Sequence, residues 1–137
     1  MSDPIYVIPQ RRIMDCGVCA LAMLLGVGYE AANDAVIAVV GAKGAGRGLY
    51  LKELEAAALH LKRPLSRTRV YDIEAATGIL SLRGGDRWHY AVLKEGQIID
   101  PDPGMVWNVH TYLTTQKLKA HTLLRLLPRD PQQDSSE

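Results

Sequence analysis

The stretch from Gln10 to Leu25, QRRIMDCGVCALAMLL, constrains the rest of the chain most strongly. It reads as a polar approach segment, an aspartate, a cysteine and then, at once, a helix rich in small residues. Cys16, Cys19, Ala20, Met23, Leu24 and Val27 recur at the i, i+3, i+4, i+7 spacing of one helix face, and Asp15 stands where an N-cap belongs. This places Cys16 at a helix N-terminus. The unpaired backbone N–H groups and the positive helix end at such a position favour thiolate over thiol, one route by which a cysteine becomes a nucleophile at neutral pH. The negative charge of Asp15 opposes that effect, so a second activating group, a histidine, is expected elsewhere.

The rest of the composition narrows the setting of that cysteine. With 137 residues and 47% hydrophobic content, the chain suits one domain with one real core, and residues 1–127 are read as that domain. The formal charge is +1, and the basic clusters are only Arg11-Arg12 and the scattered Lys62, Arg63, Arg67 and Arg69. Nucleic acid is therefore not expected as a partner, because backbone binding needs a concentrated positive face. No apolar run reaches the roughly 18 to 20 residues of a membrane span. The start, MSDPIYVIPQ, lacks the basic and apolar regions of a secretory signal, so a cytoplasmic protein is expected. In that compartment Cys16 and Cys19 would stay as thiols.

Taken in order, the chain begins with Ile5 to Ile8, an apolar run between Pro4 and Pro9 that reads as extended and at an edge. After the Cys16 helix, Gly26 and Gly28 supply a break, and Glu30 to Val40 reads as a second helix closed by Gly41. The glycine-rich segment 41–48 lacks the Gly-Lys-Ser/Thr ending of a phosphate-binding loop and is read as a mobile connector. Leu49 to Lys62 resumes helical spacing. From Pro64 the period shifts towards 2, with strands predicted at Arg67 to Tyr71, Gly78 to Leu82, Trp88 to Lys94, Gln97 to Asp100, Met105 to Val109 and Ala120 to Leu127. Asp72 to Thr77 reads as a helical turn, Thr111 to Lys119 as a short helix, and the tail 128–137 as disordered. Helices first and strands second argue for an α+β fold, with helices packed on an antiparallel sheet.

Of the four histidines, His60 falls within a helix and His121 within the last strand, whereas His89 opens the hairpin in WHYAVLKEGQIIDP. If Glu95-Gly96 is a two-residue turn, Lys94 opposes Gln97, Leu93 opposes Ile98 and Ala91 opposes Asp100. Asp100 is then the diagonal neighbour of His89 on one face, about 7 to 8 Å away at Cα, a gap the two side chains can close. A slip of one residue would turn Asp100 to the other face. Asp102 is a second candidate acid, although its flanking prolines disfavour strand geometry. A cysteine, a histidine and an orienting acid match the scheme of covalent acyl transfer, and Gln10 with the backbone N–H of Cys16 could form the oxyanion hole.

These residues carry a resemblance. Gln10, then Asp15-Cys16-Gly17, Ala20-Leu21-Ala22-Met23, and later His89-Tyr90-Ala91-Val92-Leu93 with Asp100-Pro101, resemble the papain-like peptidases that cut double-glycine leaders from bacteriocin precursors. The resemblance runs from Gln10 to about Leu127 and includes Gly48-Leu49 and Ile79-Leu80. It implies a papain-like cysteine peptidase fold, with Cys16 as nucleophile, His89 as base, Asp100 as orienting acid and Gln10 as oxyanion donor. It further implies a peptide or protein substrate and no metal or other cofactor. Members that process leaders are commonly fused to transporter membrane and ATPase domains, and these 137 residues hold neither.

Other readings stay open on the residues. A papain-like scaffold also serves amidases, acyltransferases and catalytically silent binding modules. Cys16-Gly-Val-Cys19 is formally a Cys-x-x-Cys redox motif, but a thioredoxin-like fold calls for a preceding buried strand and βαβ order. A zinc site using both cysteines lacks a second local ligand pair and would consume the nucleophile.

Overall fold

Residues 4–45 and 47–128 are described by the structure, a computed structural model. The helices α1 (Cys16–Leu25), α2 (Tyr29–Ala45) and α3 (Leu51–His60) come first. They are followed by β1 (Leu65–Thr68), β2 (Thr77–Gly84), β3 (Arg87–Lys94), β4 (Gln97–Pro101), β5 (Gly104–Asn108), α4 (Val109–Gln116) and β6 (Lys119–Leu126). The strands form one six-stranded sheet in the order β1-β6-β2-β3-β4-β5, every neighbouring pair antiparallel. The fold is thus α+β, as the order of helical and strand periods implies.

The sheet is covered on both faces, and this explains the near-continuous apolar runs in β2 and β3. Alternate residues of a strand point to opposite faces. Ile79, Tyr90, Val92, Ile99 and Leu124 pack in one cluster with the three N-terminal helices. Leu80, Leu82, Ala91, Leu93, Ile98 and Leu123 pack in the other with Val109, Tyr112 and Leu118. Helix α1 lies in the first cluster with every residue from Gly17 to Leu25 buried. The sequence pattern marks one apolar face; the structure surrounds this helix on all sides, which its small residues allow. At Gly17 an added Cβ would lie 3.1 Å from a methyl of Leu49 and 3.4 Å from the ring of Tyr90, so helix and sheet meet closely beside Cys16.

Several boundaries differ from those expected. The Ile5 to Ile8 run forms no strand; Val7 and Pro9 pack against Gly104 at the β4–β5 turn, and the Gln10 N–H donates to the Pro101 carbonyl at 2.8 Å. Helix α2 breaks at Gly41 (φ 80°, ψ 164°) as expected, but helical structure resumes through Ala45, so the expected connector is shorter. Gly46 and the tail from residue 129 onward, expected to be mobile and disordered, lie outside the described residues. Strand β1 begins at Leu65 and ends at Thr68, earlier than the periodicity suggests. The PDPG segment reverses the chain, so β5 returns antiparallel to β4 and occupies the sheet edge. Among the described residues no single helix is long and apolar enough to cross a membrane.

Candidate active site

Cys16 opens α1 and is a half-buried free thiol. Asp15 holds the N-cap position, but its side chain does not cap the helix. Its Oδ2 turns back and accepts the backbone N–H groups of Arg11 (3.1 Å) and Arg12 (3.2 Å) and the Tyr29 hydroxyl (2.8 Å). Asp15 thus stands at the expected N-cap position, while its carboxylate closes the approach loop upon itself. Met14 takes a left-handed backbone (φ 72°) in that loop.

His89 is the third residue of β3, and the hairpin places its partner. Glu95 (φ 49°) and Gly96 (φ 85°) both adopt the left-handed conformation of a type I′ turn, and Lys94 pairs with Gln97, Leu93 with Ile98 and Val92 with Ile99. Continuing that register brings Asp100 to the diagonal of His89. His89 Nε2 and Asp100 Oδ1 lie 2.7 Å apart, leaving Nδ1 as the ring nitrogen for another partner. Burial pushes the His89 imidazolium down, but the hydrogen bond with Asp100, the nearby Cys16 sulfur and the charges of both push it up by more, to about 9 from an ordinary 6.5.

Asp100 is only 3% exposed and is tied on every side. Its Oδ1 also accepts the Asp102 N–H (2.8 Å), and its Oδ2 accepts the Tyr112 hydroxyl (2.7 Å) from α4. Burial, and then the bond to Asp100, push the Tyr112 hydroxyl up, so it remains a donor. Asp102 contributes its backbone amide, with its side chain exposed, and it is Asp100 that holds the histidine ring.

The Gln10 side chain donates one amide N–H to the Arg12 carbonyl (3.1 Å), leaving the second for another acceptor. Gln10, Cys16 and His89 line one cleft of about 820 Å³, within the usual size of a ligand site. Its rim carries the exposed apolar side chains of Ile13, Met14, Tyr50 and Trp88. The Tyr90 hydroxyl donates to the Leu49 carbonyl at 2.7 Å and fixes the Gly48–Tyr50 wall to β3. Cys19 is buried, and burial first, then the charges of Asp15 and Cys16, push its thiol up to about 12. His60, His110 and His121 do not line the cleft. Among the described residues no three His, Cys, Asp or Glu side chains gather to hold a metal ion.

Sequence reasoning missed Tyr112 and the loop-closing role of Asp15. Nothing in the spacing marks Tyr112, since only the packing of α4 under the sheet brings it to Asp100. For Asp15 a signal exists: a carboxyl three or four residues after two backbone amides in a short polar loop can close it as well as cap the helix that follows.

No family model matches the chain, and no curated protein matches it. Among solved structures it is similar to the peptidase domain of Streptococcus ComA, a bi-functional ABC transporter involved in a quorum sensing pathway. The TM-score is 0.65 at 18% identity, over 92% of this chain and 100% of that one. The similarity establishes the fold, a papain-like peptidase fold.

Proposed function

We propose that the chain is a cysteine peptidase that works through an acyl-thioester on Cys16. The observation that carries this reading is an imidazole fixed by Asp100 at 2.7 Å on Nε2 and lining the same cleft as the Cys16 thiol at the helix start. His89 takes the thiol proton, and the Cys16 sulfur attacks the carbonyl carbon of a peptide bond. The second amide N–H of Gln10 and the backbone N–H of Cys16 receive the negative charge that develops on the carbonyl oxygen. His89 then returns its proton to the leaving amine, and water releases the acid from the thioester. Asp100, tied by Asp102 and Tyr112, keeps the ring in place throughout.

The high proton affinity of His89 suits both halves of that cycle. A ring raised to about 9 accepts readily from a thiol and holds its proton at neutral pH until an amine leaves. The ComA domain is a peptidase by its description, and the sequence resemblance points to leader-type peptides as the first substrates to try. Incubation with a double-glycine leader peptide, with peptidoglycan fragments and with an acylated carrier protein tests the reading by peptide mass spectrometry. The expected result is a thioester on Cys16 from the peptide, with turnover abolished in Cys16→Ala. A thioester from one of the other two instead makes the chain an amidase or acyltransferase. Full turnover by Cys16→Ala contradicts the assignment.

A further inference from the structure

We propose that Asp15 is a positioning residue for the oxyanion site, holding Gln10 in place through the backbone of Arg12. The inference rests on the reading of Gln10 as an oxyanion donor and extends it by one residue that touches no reacting atom.

The connection is a short chain of hydrogen bonds. Asp15 Oδ2 accepts the Arg12 N–H, and the Arg12 carbonyl accepts one N–H of the Gln10 side chain. Arg12 is thus held at both backbone groups, by Asp15 on one side and by Gln10 on the other. The Arg11 N–H and the Tyr29 hydroxyl converge on the same Asp15 oxygen, so the carboxylate joins the loop to the first residue of α2. Arg11 stacks over the Tyr29 ring at 4.3 Å and covers this junction. At the other end, the Gln10 N–H is fixed to the Pro101 carbonyl, next to Asp100. The backbone of Gln10 is therefore anchored to β4, while the direction of its side chain depends on where Arg12 sits.

The stereochemistry of Asp15 argues against a purely helical role. An aspartate at an N-cap ordinarily accepts a helix N–H. This one accepts none: Oδ1 is buried without a partner, and Oδ2 serves only the loop and Tyr29. A buried carboxyl oxygen left unsatisfied is unfavourable, so the group stands here for the geometry it imposes rather than for the helix.

Two reagents separate oxyanion support from thiol reactivity. 4-Nitrophenyl acetate acylates a cysteine through a tetrahedral oxyanion, whereas iodoacetamide alkylates it by direct displacement at carbon with no oxyanion. The measurement is the rate of each reaction at Cys16, by peptide mass spectrometry, in Asp15→Ala, Asp15→Asn, Gln10→Ala and the double variant. Gln10→Ala is expected to lower acylation relative to alkylation by about 100-fold, the usual effect of one lost oxyanion donor. Asp15→Ala is expected to lower the same ratio by roughly 10-fold or more, because a small misplacement of a donor is costly. Asp15→Asn, which keeps an acceptor oxygen for the two loop amides, is expected to recover most of the loss. In the Gln10→Ala background, Asp15→Ala is expected to add little. Equal and additive losses in the two backgrounds, or an Asp15→Asn no better than Asp15→Ala, overturn the proposal while leaving Gln10 as donor. An unchanged ratio in Gln10→Ala overturns both.

Discussion

At the scale of single residues, the two cysteines show how environment separates chemistry within one helical turn. Cys16 is half-buried beside His89, while Cys19 sits in the core with a thiol pushed up to about 12. His89 carries its own pH signature. Its folded value, about 9, lies above the ordinary 6.5, so the folded chain binds that proton more tightly than the unfolded chain does. The stabilisation from this group is complete below about 6.5 and is lost as pH rises through about 9. Urea unfolding of wild type and His89→Ala should therefore show a stability difference that shrinks across that window. Activity should follow the same group: the alkaline limb of kcat/KM is expected near 9, where His89 loses its proton. Asp100→Asn removes the negative charge that helps to raise His89, so a slower enzyme with an alkaline limb at lower pH is expected, read from the same rate profile.

At the scale of elements, the hairpin is the part of the site most legible in sequence. Two residues with the right flanking register, Glu95 and Gly96, fixed Asp100 on the face of His89, because a strand period of 2 leaves no other choice once the turn is two residues long. The first helix was legible for a similar reason, since small residues at helical spacing after Asp15-Cys16 fit no strand. What could not be read was the meeting of distant elements. Tyr112 reaches Asp100 from α4, and Tyr90 reaches Leu49, through contacts that depend on how whole layers pack. Tyr112→Phe removes one donor from a buried carboxylate and should cost about 1 to 3 kcal/mol in urea unfolding. The β2–β6 seam offers a sharper test. A Cβ at Gly78 would lie 2.3 Å from the Leu124 carbonyl oxygen, and backbone cannot swing away as a side-chain tip can. Gly78→Ala should destabilise by about 3 kcal/mol with no direct effect on the cleft.

At the scale of the whole molecule, the chain divides its labour between two layers that meet at one end of the sheet. The helical layer carries the Cys16 thiol, and the sheet, braced by α4 on its other face, carries the His89 imidazole and the Asp100 carboxylate. Neither layer alone holds all of these groups, and the Gln10 to Pro101 bond joins the approach loop directly to the strand of Asp100. This arrangement is shared in fold with the ComA peptidase domain, and here it brings together the four residues singled out by type and spacing. The central claim is that Cys16 and His89 act as one unit. Alkylation by iodoacetamide as a function of pH, resolved for Cys16 and Cys19 by peptide mass spectrometry in wild type and His89→Ala, tests it most directly. The account expects Cys16 to react quickly well below the ~8.5 of a free thiol, to lose that advantage without His89, and Cys19 to stay inert. Two cysteines that react alike, or a Cys16 indifferent to His89, would contradict it.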